Sequence, residues 1–202
     1  MTSLPTGLRE RKKAKTRAAI REHAMRLFDE QGYAATTVDQ IAEAADVSPS
    51  TFFRYFPTKE DVVLADDYDP IVVTALRAQP ADLDPVEAIR RSLRELFGQL
   101  TEEQWEQERR RQQLIHTVPD LRMRHQQQYA EAITLLAGVV AERAGLAADD
   151  FSARVLAGAV IGAALAATRG GAMMAQGTTY FEDFDRALAL LQAGLPVGPG
   201  AL

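Results

Sequence analysis

Apolar residues recur at helical spacing along most of the chain. Between residues 18 and 28 they stand at Ile20, Ala24 and Phe28, with charged residues between them. This spacing is typical of a helix with one buried face. A similar pattern covers residues 121–144, and we find no convincing strand pattern. The sequence therefore predicts an all-α protein of about nine helices.

Helix start signals divide the N-terminal quarter into short helices. Thr37 is followed three residues later by Gln40, the spacing of a capping box. Ser48 is followed by Pro49, a cap and then a proline at the first helical position. A tight turn at Asp46 separates the two helices. Two short helices joined in this way predict a helix-turn-helix, whose second helix enters the major groove with its N-terminal end.

Four aromatic residues fall within positions 52–56. A helical period of 3.6 cannot bury four such close neighbours on one face. We therefore expect Phe52 and Phe56 in the core, and Phe53 and Tyr55 on the other side. An exposed phenyl ring can pack on a thymine methyl group, and a tyrosine hydroxyl can reach a phosphate. The alternative is that all four rings belong to the core.

Charge and composition narrow the class of protein. The chain has 202 residues, 47% of them hydrophobic, which is enough for a core in one or two domains. The net charge is −5, yet residues 1–28 hold eight basic and two acidic residues. That segment is +6 and the rest is −11, a pattern that indicates a basic contact surface on an acidic body. The alternative is a solvated face or a flexible arm.

These features together resemble the N-terminal domain of TetR-family transcriptional regulators, over about residues 12–62. The resemblance rests on the basic arm, the long first helix, and Gly32-Tyr33, Thr36-Thr37-Val38, Ile41-Ala42, Val47-Ser48 and Thr51–Glu60. It implies a dimer of all-α subunits, each with a three-helix DNA-binding domain and a larger domain that senses a small molecule.

The predicted domain organisation follows from this resemblance. Residues 1–58 form the arm and the helix-turn-helix domain, and residues 59–195 form the ligand-sensing and dimerisation domain. A helix over 59–80 connects the two domains. Residues 196–202 are expected to be a loose tail.

The resemblance assigns DNA contacts to the arm, the two short helices and the start of the next helix. The predicted contact residues are Lys12, Lys13, Lys15, Arg17, Thr37, Ser48, Pro49, Ser50, Thr51, Phe53, Arg54, Tyr55 and Lys59. The arm lysines would add affinity that is sequence-independent and sensitive to salt. Two residues depart from the family pattern. Asp46 stands where glycine is frequent, and Asp39 stands where a basic residue is frequent, so the role of Asp39 is left open.

The second domain offers weaker signals. Large residues between positions 84 and 175 are candidates for a ligand pocket, although each also suits an ordinary core: Phe97, Trp105, Ile115, Met123, Tyr129 and Met173. Small residues and an apolar stripe on the last two helices predict a two-fold dimer interface, with packing inside one chain as the alternative: Ala159, Gly162, Ala163, Ala166, Phe184, Leu188 and Leu191. His116 and His125 share no helical face, so we expect no metal site.

The function expected from the sequence is a ligand-responsive transcriptional regulator, with a repressor favoured. It would bind a palindromic operator as a homodimer and be released by a small hydrophobic or amphipathic ligand. The alternative is a helical adaptor that binds another protein through its aromatic segment. No Gly-rich phosphate loop, HExxH or GxSxG motif is present, so we expect neither an enzyme nor a cofactor. The absence of a signal peptide and of cysteines favours the cytoplasm, at the nucleoid.

Overall fold

The computed structural model describes residues 7–65, 69–169 and 177–196. In these ranges it contains ten helices and no strand, which confirms the all-α prediction. The helices are α1 (Leu8–Gln31), α2 (Val38–Ala44), α3 (Pro49–Tyr55), α4 (Lys59–Leu64), α5 (Asp69–Ala78), α6 (Pro85–Phe97), α7 (Glu102–Thr117), α8 (Pro119–Ala144), α9 (Phe151–Arg169) and α10 (Gly177–Gln192).

The helix predicted over residues 59–80 is divided in two. The helix α4 ends at Leu64, because Ala65 takes an extended backbone conformation with φ −62° and ψ 116°. The helix α5 begins at Asp69. This division brings the helix count to ten, one above the expected nine. In the described ranges, no helix combines the length and the apolar character needed to cross a membrane.

The chain folds into two compact units. The first unit holds Met1–Ala65 together with Leu114–Arg122, and the second holds Asp66–Gln113 and Met123–Leu202. The first unit therefore extends past residue 58, where the sequence analysis ended its first domain. The reason is that α4 supplies Val62 to the core of the first unit.

The core of the first unit is built from one face of each of its helices. Its buried members come from α1, α2, α3 and its C-cap, α4, and the corner between α7 and α8: Ile20, Ala24, Phe28, Ile41, Ala42, Phe52, Phe56, Val62, Val63, Leu64, Ile115 and Leu121. Phe52 and Phe56 are buried, as their spacing predicts.

The corner between α7 and α8 was not expected in this core. Ile115, predicted to line a ligand pocket in the second domain, is 0% exposed and packs in the first unit. His116 lies beside it, and burial, together with the charge of Arg122, lowers its pKa. His116 is therefore neutral at neutral pH. His125 belongs to the second unit, and no group of three metal-ligating side chains is found in the described part of the chain.

The second unit packs α9 against α10 around an apolar core. Phe184 and Leu188 of α10 are 7% and 0% exposed in that core. Both residues are thus buried within one chain, and their predicted place in a dimer interface stays a prediction. Arg90 of α6 donates two hydrogen bonds, of 3.0 and 2.9 Å, to the carboxylate of Asp185 and so ties α6 to α10.

The matched pair Phe52 and Phe53 tests the packing of the first unit. Phe52→Ala removes a ring with no solvent exposure and should lower the free energy of unfolding by about 3–5 kcal/mol. Phe53→Ala removes a ring that is 51% exposed and should cost under about 1 kcal/mol. Urea unfolding followed by circular dichroism measures both. Equal losses would contradict the burial pattern of α3.

Candidate nucleic-acid interface

The turn between α2 and α3 is built from local hydrogen bonds. Asp46 has a positive φ of 53°, which aspartate tolerates better than most residues. The amide of Asp46 donates to the carbonyl of Glu43 at 3.1 Å, and that of Val47 donates to the carbonyl of Ala42 at 2.9 Å. This pair of bonds is a Schellman motif, which ends α2 and reverses the chain. The tight turn that the sequence predicts at Asp46 is therefore present.

Side-chain caps fix where both short helices begin. The hydroxyl of Thr37 accepts a hydrogen bond from the amide of Gln40 at 3.2 Å, and the side-chain oxygen of Gln40 accepts from the amide of Thr37 at 2.9 Å. The hydroxyl of Ser48 accepts from the amide of Thr51 at 3.1 Å. Both predicted caps are therefore present, and Thr37 is occupied by capping before any DNA is bound.

The N-terminal end of α3 carries a cluster of hydroxyl groups. The Oγ atom of Ser48 lies 2.9 Å from Oγ of Ser50 and donates to Oγ1 of Thr51 at 3.0 Å. Pro49 is the first residue of the helix, and Ser48, Pro49 and Ser50 are all exposed. Each hydroxyl both donates and accepts, so the cluster can exchange its internal bonds for bonds to base edges or phosphates.

The aromatic residues of α3 divide between core and surface. Phe53 is 51% exposed and meets the buried Phe52 edge-on, with ring centroids 5.5 Å apart. Tyr55 is half-buried and packs against the core, which is deeper than its position on the helix suggested. Arg54 is exposed, with its guanidinium 5.5 Å from the centroid of the Tyr55 ring. Phe53 and Arg54 are therefore exposed, whereas the rings of Phe52 and Tyr55 pack into or against the core.

The first part of α1 is a basic, exposed helical segment. Residues 8–15 are all exposed, and Lys12, Lys13 and Lys15 lie among them. The first buried residue of α1 is Ile20. The segment is thus helical without packing against the core, and its ammonium groups point into solvent.

Arg17 differs from these lysines. Its Nη1 donates to the carbonyl of Tyr55 at 3.2 Å, and its guanidinium lies 4.5 Å from the centroid of the Phe56 ring. Arg17 therefore ties α1 to the end of α3, and its predicted contact with DNA stays a prediction.

Lys59 also has partners inside the unit. Its Nζ donates to the carbonyls of Tyr33 and Thr36 at 2.8 and 2.9 Å, and lies 4.2 Å from the centroid of the Tyr33 ring. Sequence reasoning missed this arrangement. The segments containing Tyr33 and Thr36 helped to identify the family, but nothing local relates them to a lysine 23 and 26 positions away.

The predicted pocket residues do not come together in one site. Phe97 stacks on Trp105, with centroids 5.4 Å apart, and also lies 5.0 Å from Phe181. Tyr129 pairs instead with His125, its hydroxyl 3.2 Å from Nδ1. Of the others, Ile115 lies in the first unit's core, Met123 is 56% exposed, and Met173 lies outside the described residues.

The predicted interface residues of α9 are more open than those of α10. Gly162 and Ala166 are exposed, whereas Ala159 and Ala163 are half-buried. Leu191 of α10 packs at the edge of the core. Phe151 and Val155, which were not among the predicted interface residues, are 72% and 53% exposed at helical spacing before Gly162. Their helical spacing from Gly162 and Ala166 is the sequence feature from which they could have been predicted.

Two family models match the chain. One, described as bacterial regulatory proteins of the tetR family, covers residues 20–65, and the other, described as the MftR C-terminal domain, covers residues 83–196. The second match spans more than half of the chain. The chain belongs to the TetR family. It is a helix-turn-helix transcriptional regulator, a DNA-binding protein and not an enzyme.

Known relatives agree with this assignment. The chain is 35% identical over 151 residues to the transcriptional regulator TcmR of Streptomyces glaucescens, covering 71% of this chain and 67% of TcmR. It is 38% identical over 88 residues to the regulator EthR of Mycolicibacterium smegmatis, covering 40% and 39% of the two chains. The comparisons give the adaptor alternative no support.

Solved structures share the fold. The repressor SmeT of Stenotrophomonas maltophilia superposes with a TM-score of 0.59 at 19% identity, over 92% of each chain. The repressor FadR of Thermus thermophilus, in complex with lauroyl-CoA, gives a TM-score of 0.53 at 25% identity, over 91% of this chain and 97% of FadR.

Substitutions at Asp46 test the turn. Asp46→Ala places a residue without a polar side chain at positive φ and should lower the free energy of unfolding by about 1 kcal/mol. Asp46→Gly suits the same conformation and should change it by less than about 0.5 kcal/mol. Urea unfolding measures both variants. A glycine variant as unstable as the alanine variant would contradict the left-handed turn.

Proposed function

We propose that this chain is a repressor that binds an inverted-repeat operator as a homodimer and leaves it when a small apolar or amphipathic effector binds. The proposal rests on the division of α3 between a buried side and an exposed side. Its core side holds Phe52, while Phe53 and the hydroxyl cluster of Ser48, Ser50 and Thr51 remain available at the surface.

Sequence reading would come from the exposed groups of α3. The ring of Phe53 suits a thymine methyl group in the major groove, and the hydroxyls suit base edges or phosphates. Arg54 is exposed near the end of the helix and suits a phosphate or a guanine. The proposed readout surface is therefore small. It has one apolar group, the ring of Phe53, with hydrogen-bonding groups around it.

Affinity without sequence preference would come from the exposed segment of α1. Lys12, Lys13 and Lys15 lie in a helical segment that does not need to fold on binding. Ammonium groups that neutralise phosphates release counterions, so this part of the affinity falls steeply with salt.

Homodimerisation would place two copies of α3 in successive major grooves, about 34 Å apart. Support comes from the exposed face of α9, where Phe151, Val155, Gly162 and Ala166 follow one another at helical spacing. Small residues allow a second helix to approach closely, and a two-fold axis brings the same face from both subunits together. An operator with inverted symmetry matches such a dimer.

The effector would bind in the second unit, near the stacked pair Phe97 and Trp105. The neighbouring repressor FadR is in complex with lauroyl-CoA, and SmeT is in complex with triclosan. Both compounds have large apolar parts. We propose an effector of this class. It would reach the regulator from the cytoplasm while the regulator is bound to DNA in the nucleoid.

The effector must favour one conformation over another to release DNA. The helices α7 and α8 offer a continuous path, because each has residues in both units. Ile115 near the end of α7 and Leu121 near the start of α8 are fully buried in the first unit. We propose that the effector acts on the DNA-binding unit through one of these two helices.

Selection of binding sites from a random duplex pool tests DNA recognition. The wild-type protein should enrich an inverted repeat at near-physiological salt, and Phe53→Ala should lose that enrichment. Ile71→Ala is the matched control, because Ile71 is 46% exposed but lies in α5 of the second unit. Enrichment by Phe53→Ala equal to that of wild type would contradict the role of α3, and a single unrepeated half-site would contradict the dimer.

The single tryptophan makes effector binding visible. Trp105 is the one tryptophan of the sequence, so intrinsic tryptophan fluorescence reports on its stack with Phe97. Titration with lauroyl-CoA or triclosan as probes should change the emission saturably, and Phe97→Ala should weaken the apparent affinity. Leu135→Ala, in an exposed part of α8, should leave the affinity unchanged. A saturable change in tryptophan emission without release of labelled operator would contradict ligand-driven release.

A further inference from the structure

The ammonium group of Lys59 is held inside the first unit. An ammonium has three donors and no acceptor. Two of them serve the carbonyl oxygens of Tyr33 and Thr36, at 2.8 and 2.9 Å. The charge lies 4.2 Å from the centroid of the Tyr33 ring, within the range of a cation–π contact. Lys59 is half-buried, unlike the exposed lysines of α1.

The two carbonyls belong to the loop that joins α1 to α2. Thr36 is 1% exposed, and its hydroxyl donates to the carbonyl of Gly32 at 2.9 Å and accepts from the side chain of Gln31 at 3.2 Å. The next residue, Thr37, caps α2. Lys59 therefore binds the backbone immediately before the start of α2.

The neighbouring residue of α4 holds the same loop from another side. Tyr33 donates its hydroxyl to Oε1 of Glu60 at 2.8 Å. Lys59 thus contacts the loop backbone and the Tyr33 ring, and the next residue, Glu60, accepts a hydrogen bond from the Tyr33 hydroxyl. Because α2 continues through the Schellman turn into α3, the position of this loop also sets the position of α3.

We propose that Lys59 is a positioning residue, whose ammonium fixes the loop between α1 and α2 and thereby the helix pair α2–α3, and that it does not neutralise a DNA phosphate. This inference rests on the proposed DNA binding and reverses the direct contact that the family resemblance implied. A phosphate contact would have to use the third N–H donor of an ammonium whose position is already set by two carbonyls, one of them on a residue with 1% exposure. Charge-assisted hydrogen bonds to such groups are costly to leave unmade.

Salt dependence separates the two roles. Each lysine that neutralises a phosphate of duplex DNA contributes about 0.9 to the slope of log affinity against log salt. Lys59→Met keeps the unbranched side chain as far as the position of Cε but removes the ammonium, with its charge and donors. We expect its operator affinity to fall about tenfold or more, with an unchanged salt slope and a reduced ratio of operator to random-duplex affinity. The control Lys13→Met should lower the slope by about 0.9 and leave that ratio unchanged.

A donor without charge supplies the rescue. Lys59→Gln keeps N–H donors for the two carbonyls and carries no charge. If Lys59 acts by position, the glutamine variant should recover part of the affinity lost by Lys59→Met, again with the wild-type slope. If Lys59 contacts a phosphate, both variants should lose affinity equally and lower the slope by about 0.9, which would overturn the proposal.

Amide hydrogen exchange on the free protein makes the inference testable without DNA. Lys59→Met should speed exchange in the loop and in α2, residues 33–44, while Lys13→Met should not. Unchanged exchange there would overturn the proposal, whether or not the wild type binds an operator. Faster exchange throughout the first unit, with equal loss of operator and random-duplex affinity, would also overturn it, because Lys59 would then be a general stabilising residue. A wild type that enriches no operator but shows the local effect would refute the proposed function and leave the positioning role standing.

Discussion

Burial of Phe52 is the constraint on which the readout surface depends. The helix α3 has seven residues, far fewer than an isolated helix needs to be stable in water. It therefore exists because Phe52 and Phe56 pack into the core of the first unit. Once those two rings are fixed, the helical period decides which way every other side chain points. The exposure of Phe53 follows from the core, while the Ser48 cap places the hydroxyl cluster at the start of the helix.

Local chemistry explains why so much of this unit could be predicted from the sequence. The caps at Thr37 and Ser48 and the left-handed turn at Asp46 each depend on residues within a few positions, so the pattern alone identifies them. Arg17 and Lys59 could not be assigned in the same way. Their partners lie 38, 26 and 23 positions away. The sequence alone does not show whether a basic residue of a DNA-binding domain faces a phosphate or a carbonyl of its own chain.

The second unit was harder to predict for a related reason. An apolar stripe on a helix indicates burial but does not name the partner. Phe184 and Leu188 have the same spacing whether they meet their own chain or a second copy, and the structure shows only that both are buried within their own chain. As a large apolar residue, Ile115 suits a ligand pocket and a protein core equally well. Only the path of α7 into the first unit distinguishes these alternatives, and that path is a tertiary feature.

The distribution of charge bears on how such a regulator would discriminate among DNA sites. The first 28 residues carry +6 and the remainder −11, so most of the chain is repelled by DNA and one segment is attracted. The attraction orients the protein but is blind to sequence, and salt weakens it together with the repulsion. In the proposed function, sequence preference would therefore come from short-range contacts of α3, which would reach full strength only when Phe53 and its neighbouring hydroxyls fit the groove. An acidic body limits the binding that the basic segment supports elsewhere on DNA, and so increases the share of affinity that depends on the correct site.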